Sequence, residues 1–310
     1  MSRTTGKWFC VINPAANRGN GTRCVPEVRR FLSERNIPHE ILVTTQSSEA
    51  MPYVVERAAD HDVIIAAGGD GTVHEVVNGL MQAYAQSGGQ PPKAALGVLP
   101  IGSGNDFAKM LHMPKELRPA LEAIATGSRR LIDIGRISVD GDHARYFDNN
   151  VGIGFDAYVN YESIQIKSLR GVLIYLAAVF KSLFKYQHPM AEIRINGETI
   201  NNKILMMTTG NGSCSGGGFY ITPHAKIDDG WLDVCIVDSR SKLKMLLDLP
   251  TVMQGKHDGA PGVRMYRTKN VRIASSELLP IHADGEVVSM DAHTVELEVM
   301  PTAIHAIFAH

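Results

Sequence analysis

Ala66-Ala67-Gly68-Gly69-Asp70-Gly71-Thr72-Val73-His74-Glu75 is the stretch on which the reading of this chain turns. Apolar Val63, Ile64 and Ile65 run into it, and Val73, Val76, Val77 and Leu80 follow at helical spacing, so it reads as buried strand, glycine turn and helix. Glycines at such a turn let backbone amides approach an anion closely, and the N-terminus of the following helix favours negative charge there. That suits a phosphate. Asp70 is a carboxylate among those amides, where it would repel a bare phosphate unless a metal ion lies between them or it has a proton to take. A phosphate loop with an acid at its centre points to Mg-nucleotide chemistry. The plainer alternative is a turn in which Asp70 caps the helix and the glycines bend the chain.

Outward from this stretch, strand and helix alternate. A strand at 8–12 leads into the loop Asn13-Pro14-Ala15-Ala16-Asn17-Arg18-Gly19, then a helix with apolar Val25, Val28, Phe31 and Leu32. A second strand at 41–43 ends at Thr44-Thr45, before a helix over 48–60. After the Gly68 turn, a strand at 94–99 reaches a second glycine turn, Gly102-Ser103-Gly104-Asn105-Asp106. This order predicts an α/β domain with a mostly parallel sheet and helices on both faces. Ligands of such sheets collect at the carboxyl ends of the strands, where Asn13, Thr44, Gly69 and Ser103 all fall.

From about residue 131 the texture changes. Asp140-Gly141 and Asn196-Gly197 sit between alternating stretches, the signature of two-residue hairpins. Further strands are expected at 232–237, 271–274 and 295–299, so a C-terminal antiparallel β-sandwich follows the parallel domain. The domains are expected at 1–134 and 135–299, with 300–310 a candidate to return to the first. A segment over 166–186 has an apolar centre at 172–180 flanked by Lys167, Arg170, Lys181 and Lys185; it could rest on anionic lipid or pack as a core helix. A second helix is expected over 243–254. Gly210-Asn211-Gly212-Ser213-Cys214-Ser215-Gly216-Gly217-Gly218 is either a lip of a pocket or a loop.

At 310 residues, two domains are the default. A hydrophobic fraction of 44% and a charged fraction of 20% give a globular balance, and a net charge of −1 gives no footprint for nucleic acid. The N-terminus lacks the apolar core of a signal peptide, and 172–180 is too short to span a bilayer. Cys10, Cys24, Cys214 and Cys235 have no paired spacing and read as reduced thiols of a cytoplasmic protein. The twelve histidines show no paired spacing for catalytic zinc. Neither a G-x-x-x-x-G-K-[ST] loop nor a G-x-G-x-x-G fingerprint is present, so neither a P-loop nor an ordinary dinucleotide domain explains the phosphate loop. Without a P-loop lysine, metal and backbone amides must carry more of the charge neutralisation. Exposed strand edges could pair two copies into a homodimer.

Gly68-Gly69-Asp70-Gly71-Thr72-Val73-His74-Glu75-Val76-Val77-Asn78-Gly79-Leu80, followed by Gly102-Ser103-Gly104-Asn105-Asp106-Phe107-Ala108, resembles the diacylglycerol kinase catalytic-domain family, and within it the soluble bacterial lipid kinases. Asn13-Pro14, Thr44-Thr45, Asp133-Ile134-Gly135, Lys226-Ile227-Asp228-Asp229-Gly230-Trp231 and Asp284-Gly285-Glu286 occur in the family's order, so the resemblance covers almost the whole chain. It implies ATP as phosphoryl donor, held by Asn13, Thr44, Gly69, Asp70, Gly71, Thr72, Glu75 and Ser103. It implies catalytic Mg2+ organised by Asp70 and Asp133, and Glu286 as general base. Lys226 and Trp231, through their carbonyls, with the Asp229 side chain, would hold a second, structural Mg2+. The sandwich would supply the lipid pocket, and the enzyme would visit the inner membrane face to collect a lipid such as diacylglycerol. By local rules alone Asp133 is equally a strand-end cap, and Glu286 a turn-flanking acid. His74 stands where many bacterial members have Asn, which bears on the substrate more than on the activity. An NAD kinase of the same superfamily and a catalytically silent nucleotide-binding regulator are the rival readings.

Overall fold

A computed structural model describes residues 6–19, 21–142, 144–166, 169 and 172–310. The chain divides into two compact units, Met1–Asp133 with Pro301–His310, and Ile134–Met300.

The first unit is built as strand, loop and helix in repetition. Its elements are β1 (Trp8–Ile12), α1 (Ala16–Gly19), α2 (Gly21–Glu34), β2 (His39–Val43), α3 (Ala50–Arg57), β3 (Val63–Gly68), α4 (Asp70–Gln86), β4 (Ala95–Pro100), α5 (Asp106–Met110) and α6 (Leu117–Thr126). β1 pairs in parallel with β2 on one side and β3 on the other, and β3 pairs in parallel with β4. Strands in such a position are covered on both faces, which is why β1 and β3 are continuous apolar runs buried at every residue. α4 buries Val73, Val76, Val77 and Leu80, the stripe read from the sequence. α3 covers only the middle of the helix expected over 48–60.

The second unit carries β5 (Ser128–Val139, entering from the first), β6 (Arg145–Phe147), β7 (Asn150–Gly154), α7 (Phe155–Ile164), α8 (Val172–Ser182), β8 (Met190–Ile195), β9 (Glu198–Gly210), β10 (Leu232–Asp238), α9 (Lys242–Met253), β11 (Val263–Thr268), β12 (Asn270–Ala283) and β13 (Glu286–Phe308). Its pairings are antiparallel. Two long strands change partners along their length: β9 pairs β8 through its first half and β7 and β10 through its second, while β12, paired with β13, meets β8 and then β7 on its other edge. Strands that change partners in this way turn the corners of a sandwich. Alternation along β10 feeds two cores: Val234 and Ile236 join Ile193, Ile273 and Val295, whereas Cys235 and Val237 join Phe155, Val179 and Met245 under the helices.

Asn196-Gly197 and Asp284-Gly285 are two-residue hairpin turns with left-handed φ at both positions, joining Ile195 to Glu198 and Ala283 to Glu286. Asp140-Gly141 has the same backbone, and the Asp142 amide donates to the Val139 carbonyl at 2.9 Å to close it; among the described residues β5 and β6 then pair from Ile137 with Arg145. The Asp140 carboxylate also ties the turn to β13, accepting from the amides of His293 (3.0 Å) and Thr294 (2.7 Å). α8 is shorter than the expected 166–186; Lys167 and Arg170 lie outside the described residues. β7, α7 and β11 had no signal in the sequence reading. β13 is far longer than the strand expected at 295–299, and from Pro301 it belongs to the first unit, where His305 and Ala306 pair in parallel with Ala95 and Leu96 of β4.

Candidate active site

In the first unit the loops after β1, β2, β3 and β4 lie at the carboxyl ends of parallel strands. The β3 and β4 turns are packed backbone against backbone: Ile101 and Gly102 amides donate to the Gly68 carbonyl at 2.9 and 3.0 Å, and a Cβ on Gly102 would fall 2.4 Å from the Gly69 Cα. No side chain fits at Gly102, so the glycines are required by approach as well as by bending. Asp70 opens α4, and its Oδ1 accepts from the amides of Asp106 (2.7 Å) and Phe107 (3.4 Å) at the start of α5. Its Oδ2 faces Gly104, where a Cβ would fall 2.7 Å away. Burial pushes the Asp70 carboxyl above the ordinary aspartate value, the charge of Asp106 adds to this, and the amides only partly oppose it. Asp106 is itself buried and pairs with Lys109 at 2.7 Å. An acid held under such a penalty, as Asp70 is, calls for a cation or a proton, and carboxylate oxygens are the hard donors that Mg2+ takes. The catalytic Mg2+ implied by the resemblance therefore fits this turn.

The other expected nucleotide residues fall around it. Asn13 Oδ1 accepts from the Ala15 amide at 3.0 Å, and its Nδ2 donates to Thr72 Oγ1 at 3.3 Å, tying the first loop to α4. Thr44 is buried, with its amide donating to the Ile12 carbonyl at 3.0 Å. Gly71 and Thr72 form the first turn of α4, and Ser103 is exposed. Glu75 is differently engaged: its Oε1 accepts from the amides of Ala50 (2.5 Å) and Met51 (3.3 Å), capping α3 from the neighbouring helix. Asp133 is 1% exposed, and its Oδ1 accepts from the Thr302 amide at 2.8 Å; it stands in the middle of β5 and so is not the strand-end cap that local rules allowed. Among the described residues, Asp70, Asp106 and Asp133 do not gather their oxygens into one three-acid cluster.

In the second unit, Glu286 is exposed and follows the Asp284-Gly285 turn directly. That turn is rigidly held. The Asp284 carboxylate accepts from three successive amides, Asp148, Asn149 and Asn150, each at 2.9 Å, and Asn160 Nδ2 donates to the Gly285 carbonyl at 2.7 Å. Asp106 and Asp284 carry no expected role in the sequence; their only signal is the glycine turn each belongs to, Gly102-Ser103-Gly104-Asn105-Asp106 and Asp284-Gly285. Lys226, Asp229 and Trp231 lie together in the turn before β10, where Asp229 pairs with Arg267 at 2.5 Å. Arg267 and Lys269 both approach the Trp231 ring, at 5.6 and 5.4 Å. The charge of Asp229 is thus met by a guanidinium, and a divalent ion at this turn would have to displace it.

An apolar cavity of about 120 Å3 lies under α7, α8 and α9, walled by Phe155, Val179, Met206, Phe219 and Leu249. Ser215 and Gly216 of the glycine-rich stretch also line it. The outer faces of α8 and α9 leave Leu173, Phe180, Leu243 and Leu247 exposed, Leu247 at 69%. Lys242 lies 4.7 Å over the ring of exposed Phe184, while Lys181 and Lys185 in the same region both pair with the buried Glu162 carboxylate. No helix of the described residues is long and apolar enough to cross a membrane.

The sequence matches two described families: diacylglycerol kinase catalytic domain over residues 7–137, and YegS C-terminal NAD kinase beta sandwich-like domain over residues 149–308. A protein of Staphylococcus carnosus (strain TM300) named diacylglycerol kinase is 28% identical over 279 residues, covering 89% of this chain and 87% of that one. A diacylglycerol kinase of Staphylococcus aureus (strain bovine RF122 / ET3-1) is 29% identical over 279 residues, covering 89% and 84%. In fold, a crystal structure of a diacylglycerol kinase from Bacillus anthracis str. Sterne matches with a TM-score of 0.73 at 21% identity, over 99% of this chain and 98% of that one. Yeast NADH kinase complexed with NADH shares the fold more distantly, with a TM-score of 0.52 at 13% identity over 98% and 84%.

Proposed function

The chain belongs to the diacylglycerol kinase catalytic-domain family of lipid kinases, and from that premise we propose that it transfers the γ-phosphoryl group of Mg-ATP to the primary hydroxyl of diacylglycerol, giving phosphatidic acid. In this reading Asn13, Thr44, Gly69, Gly71, Thr72 and Ser103 hold the nucleotide through the loops at the carboxyl edge of the parallel sheet. Glu75 acts only indirectly, by fixing α3 against α4. Asp70 and Asp133 would hold the Mg2+ that carries the phosphates, with Asp106 adding charge beside Asp70. Mg2+, when bound, neutralises charge on the phosphates. Glu286 accepts the hydroxyl proton as the lipid oxygen attacks phosphorus and ADP leaves. A second Mg2+ at Lys226, Asp229 and Trp231 would compete with Arg267 for the carboxylate.

The observation that carries this reading is Asp70, an acid of raised pKa inside a double glycine turn that has no lysine of the P-loop kind. The apolar cavity suits acyl chains, and the leucines of α9 with Phe180, Phe184 and their lysines suit an anionic inner membrane face, which the enzyme would visit from the cytoplasm. The test is transfer from γ-labelled ATP in parallel reactions with diacylglycerol, monoacylglycerol, sphingosine and NAD. Label in phosphatidic acid, lost on chelation of Mg2+, is expected. Label in NADP with none in any lipid would overturn the assignment, and ATP binding without transfer to any acceptor would leave a silent regulator.

A further inference from the structure

Behind the 284–286 turn runs a line of polar side chains that the reaction above does not use. His282 is 3% exposed, and its Nε2 lies 3.3 Å from Asp156 Oδ2. Thr208 donates its hydroxyl to the same oxygen at 3.1 Å. On the other edge of the ring, the Gly285 amide donates to His282 Nδ1 at 3.4 Å. One tautomer satisfies both contacts: Nε2 carries the hydrogen and donates to Asp156, leaving Nδ1 bare to accept. The fold makes room for this pair. Gly152 of β7 stands opposite His282 of β12, and a Cβ there would fall 2.3 Å from His282 Nε2 and 2.4 Å from Asp156 Oδ2.

The consequence lies one residue downstream. The Gly285 amide is held by His282 and its carbonyl by Asn160, so the residue is gripped at both ends. That carbonyl belongs to the peptide bond from which Glu286 starts. Glu286 is exposed, with a long side chain, so its aim depends on where its backbone begins. Asp156 meanwhile lines the apolar cavity, which puts the anchor of the relay in the cavity wall.

We propose that His282, oriented by Asp156 and Thr208, is a positioning residue that aims Glu286 at the acceptor hydroxyl. This rests on the reading of Glu286 as the proton acceptor. Misplacement of a reacting group by about 1 Å costs on the order of a hundredfold in rate. His282→Phe keeps a buried ring without either nitrogen; His282→Asn sets an amide oxygen where Nδ1 stands and can still accept the Gly285 amide.

The experiment measures kcat, KM for ATP and thermal unfolding with diacylglycerol in phosphatidylglycerol vesicles. For His282→Phe, kcat falls about a hundredfold with KM for ATP unchanged, and His282→Asn recovers about tenfold of the loss. Wild-type kcat in His282→Phe, or a loss in His282→Asn as deep as in the Phe variant, overturns the proposal. Should His282→Phe fail to fold, Thr208→Val removes only the hydroxyl that orients Asp156. A severalfold fall in kcat at constant KM for ATP is then expected, and an unchanged kcat overturns the positioning role. Glu286→Gln in the same assay separates the two ideas. If it is inactive while His282→Phe turns over normally, only the positioning role fails; if it turns over normally, the reading of Glu286 fails and the positioning role with it.

Discussion

Asp70 in the first unit and Asp284 in the second are both carboxylates beside a glycine turn, and both accept backbone amides, yet their surroundings differ in kind. Asp284 receives three amides from one short run, 148–150. Asp70 accepts amides from the start of α5, Asp106 and Phe107 through its Oδ1, and stands beside a second acid, Asp106, under a burial penalty that raises the Asp70 pKa. The first arrangement ties a hairpin to a neighbouring run of backbone, with the Asp148 carboxylate also close to Asp284. The second holds an acid whose raised pKa favours a bound cation or a proton.

The sharpest way to break this contrast is Asp70→Ala. On the reading above it lowers phosphoryl transfer at least about a thousandfold, because the acid that would hold Mg2+ is lost, while unfolding stays cooperative. Wild-type turnover on every lipid tested would end the contrast. Asp284→Ala should act on the fold: three buried amides lose their acceptor, at a cost on the order of 3 kcal/mol, read as a lowered midpoint in urea. A variant as stable as the parent would show that Asp284 is no lock.

A smaller effect sharpens the electrostatic half. Because the folded pKa of Asp70 is raised above its unfolded value, its ionisation costs stability, and the cost disappears below the ordinary carboxylate pKa. Asp70→Asn should therefore melt above wild type at pH 7 in the presence of a chelator, and the advantage should shrink as pH falls through the folded pKa. An advantage that grows toward acid would contradict the shift. The smallest effect concerns the outer face of the second unit: Leu247→Ser should weaken binding to phosphatidylglycerol vesicles severalfold and leave ATP affinity unchanged.

The two units were not equally legible in the sequence. The parallel domain could be read because its signals are local: β3 is an unbroken apolar run, α4 an apolar stripe, and the glycine turns mark the strand ends. The approach of Gly102 to Gly69 is not local, and neither is the capping of α3 by Glu75, a residue whose position in the motif suggested nucleotide. Asp133 has the same character, since its partner Thr302 lies 169 residues away. In the second unit, Asn196-Gly197 and Asp284-Gly285 announced their hairpins, but β13 hid its 23 residues behind a mixed pattern because its two ends serve different units. Glu286 had no signal of its own beyond the turn before it. The residues that hold the turn before it, Asn160 and His282 with Asp156 behind, are gathered by the sheet register and not by sequence spacing.

The most direct measurement pairs ATP binding with phosphoryl transfer in Glu286→Gln. Removing only the proton acceptor should leave the Kd for ATP within about twofold of wild type, while transfer of labelled phosphate to diacylglycerol falls by about a hundredfold to ten-thousandfold. Transfer at the wild-type rate would contradict the role given to the second unit.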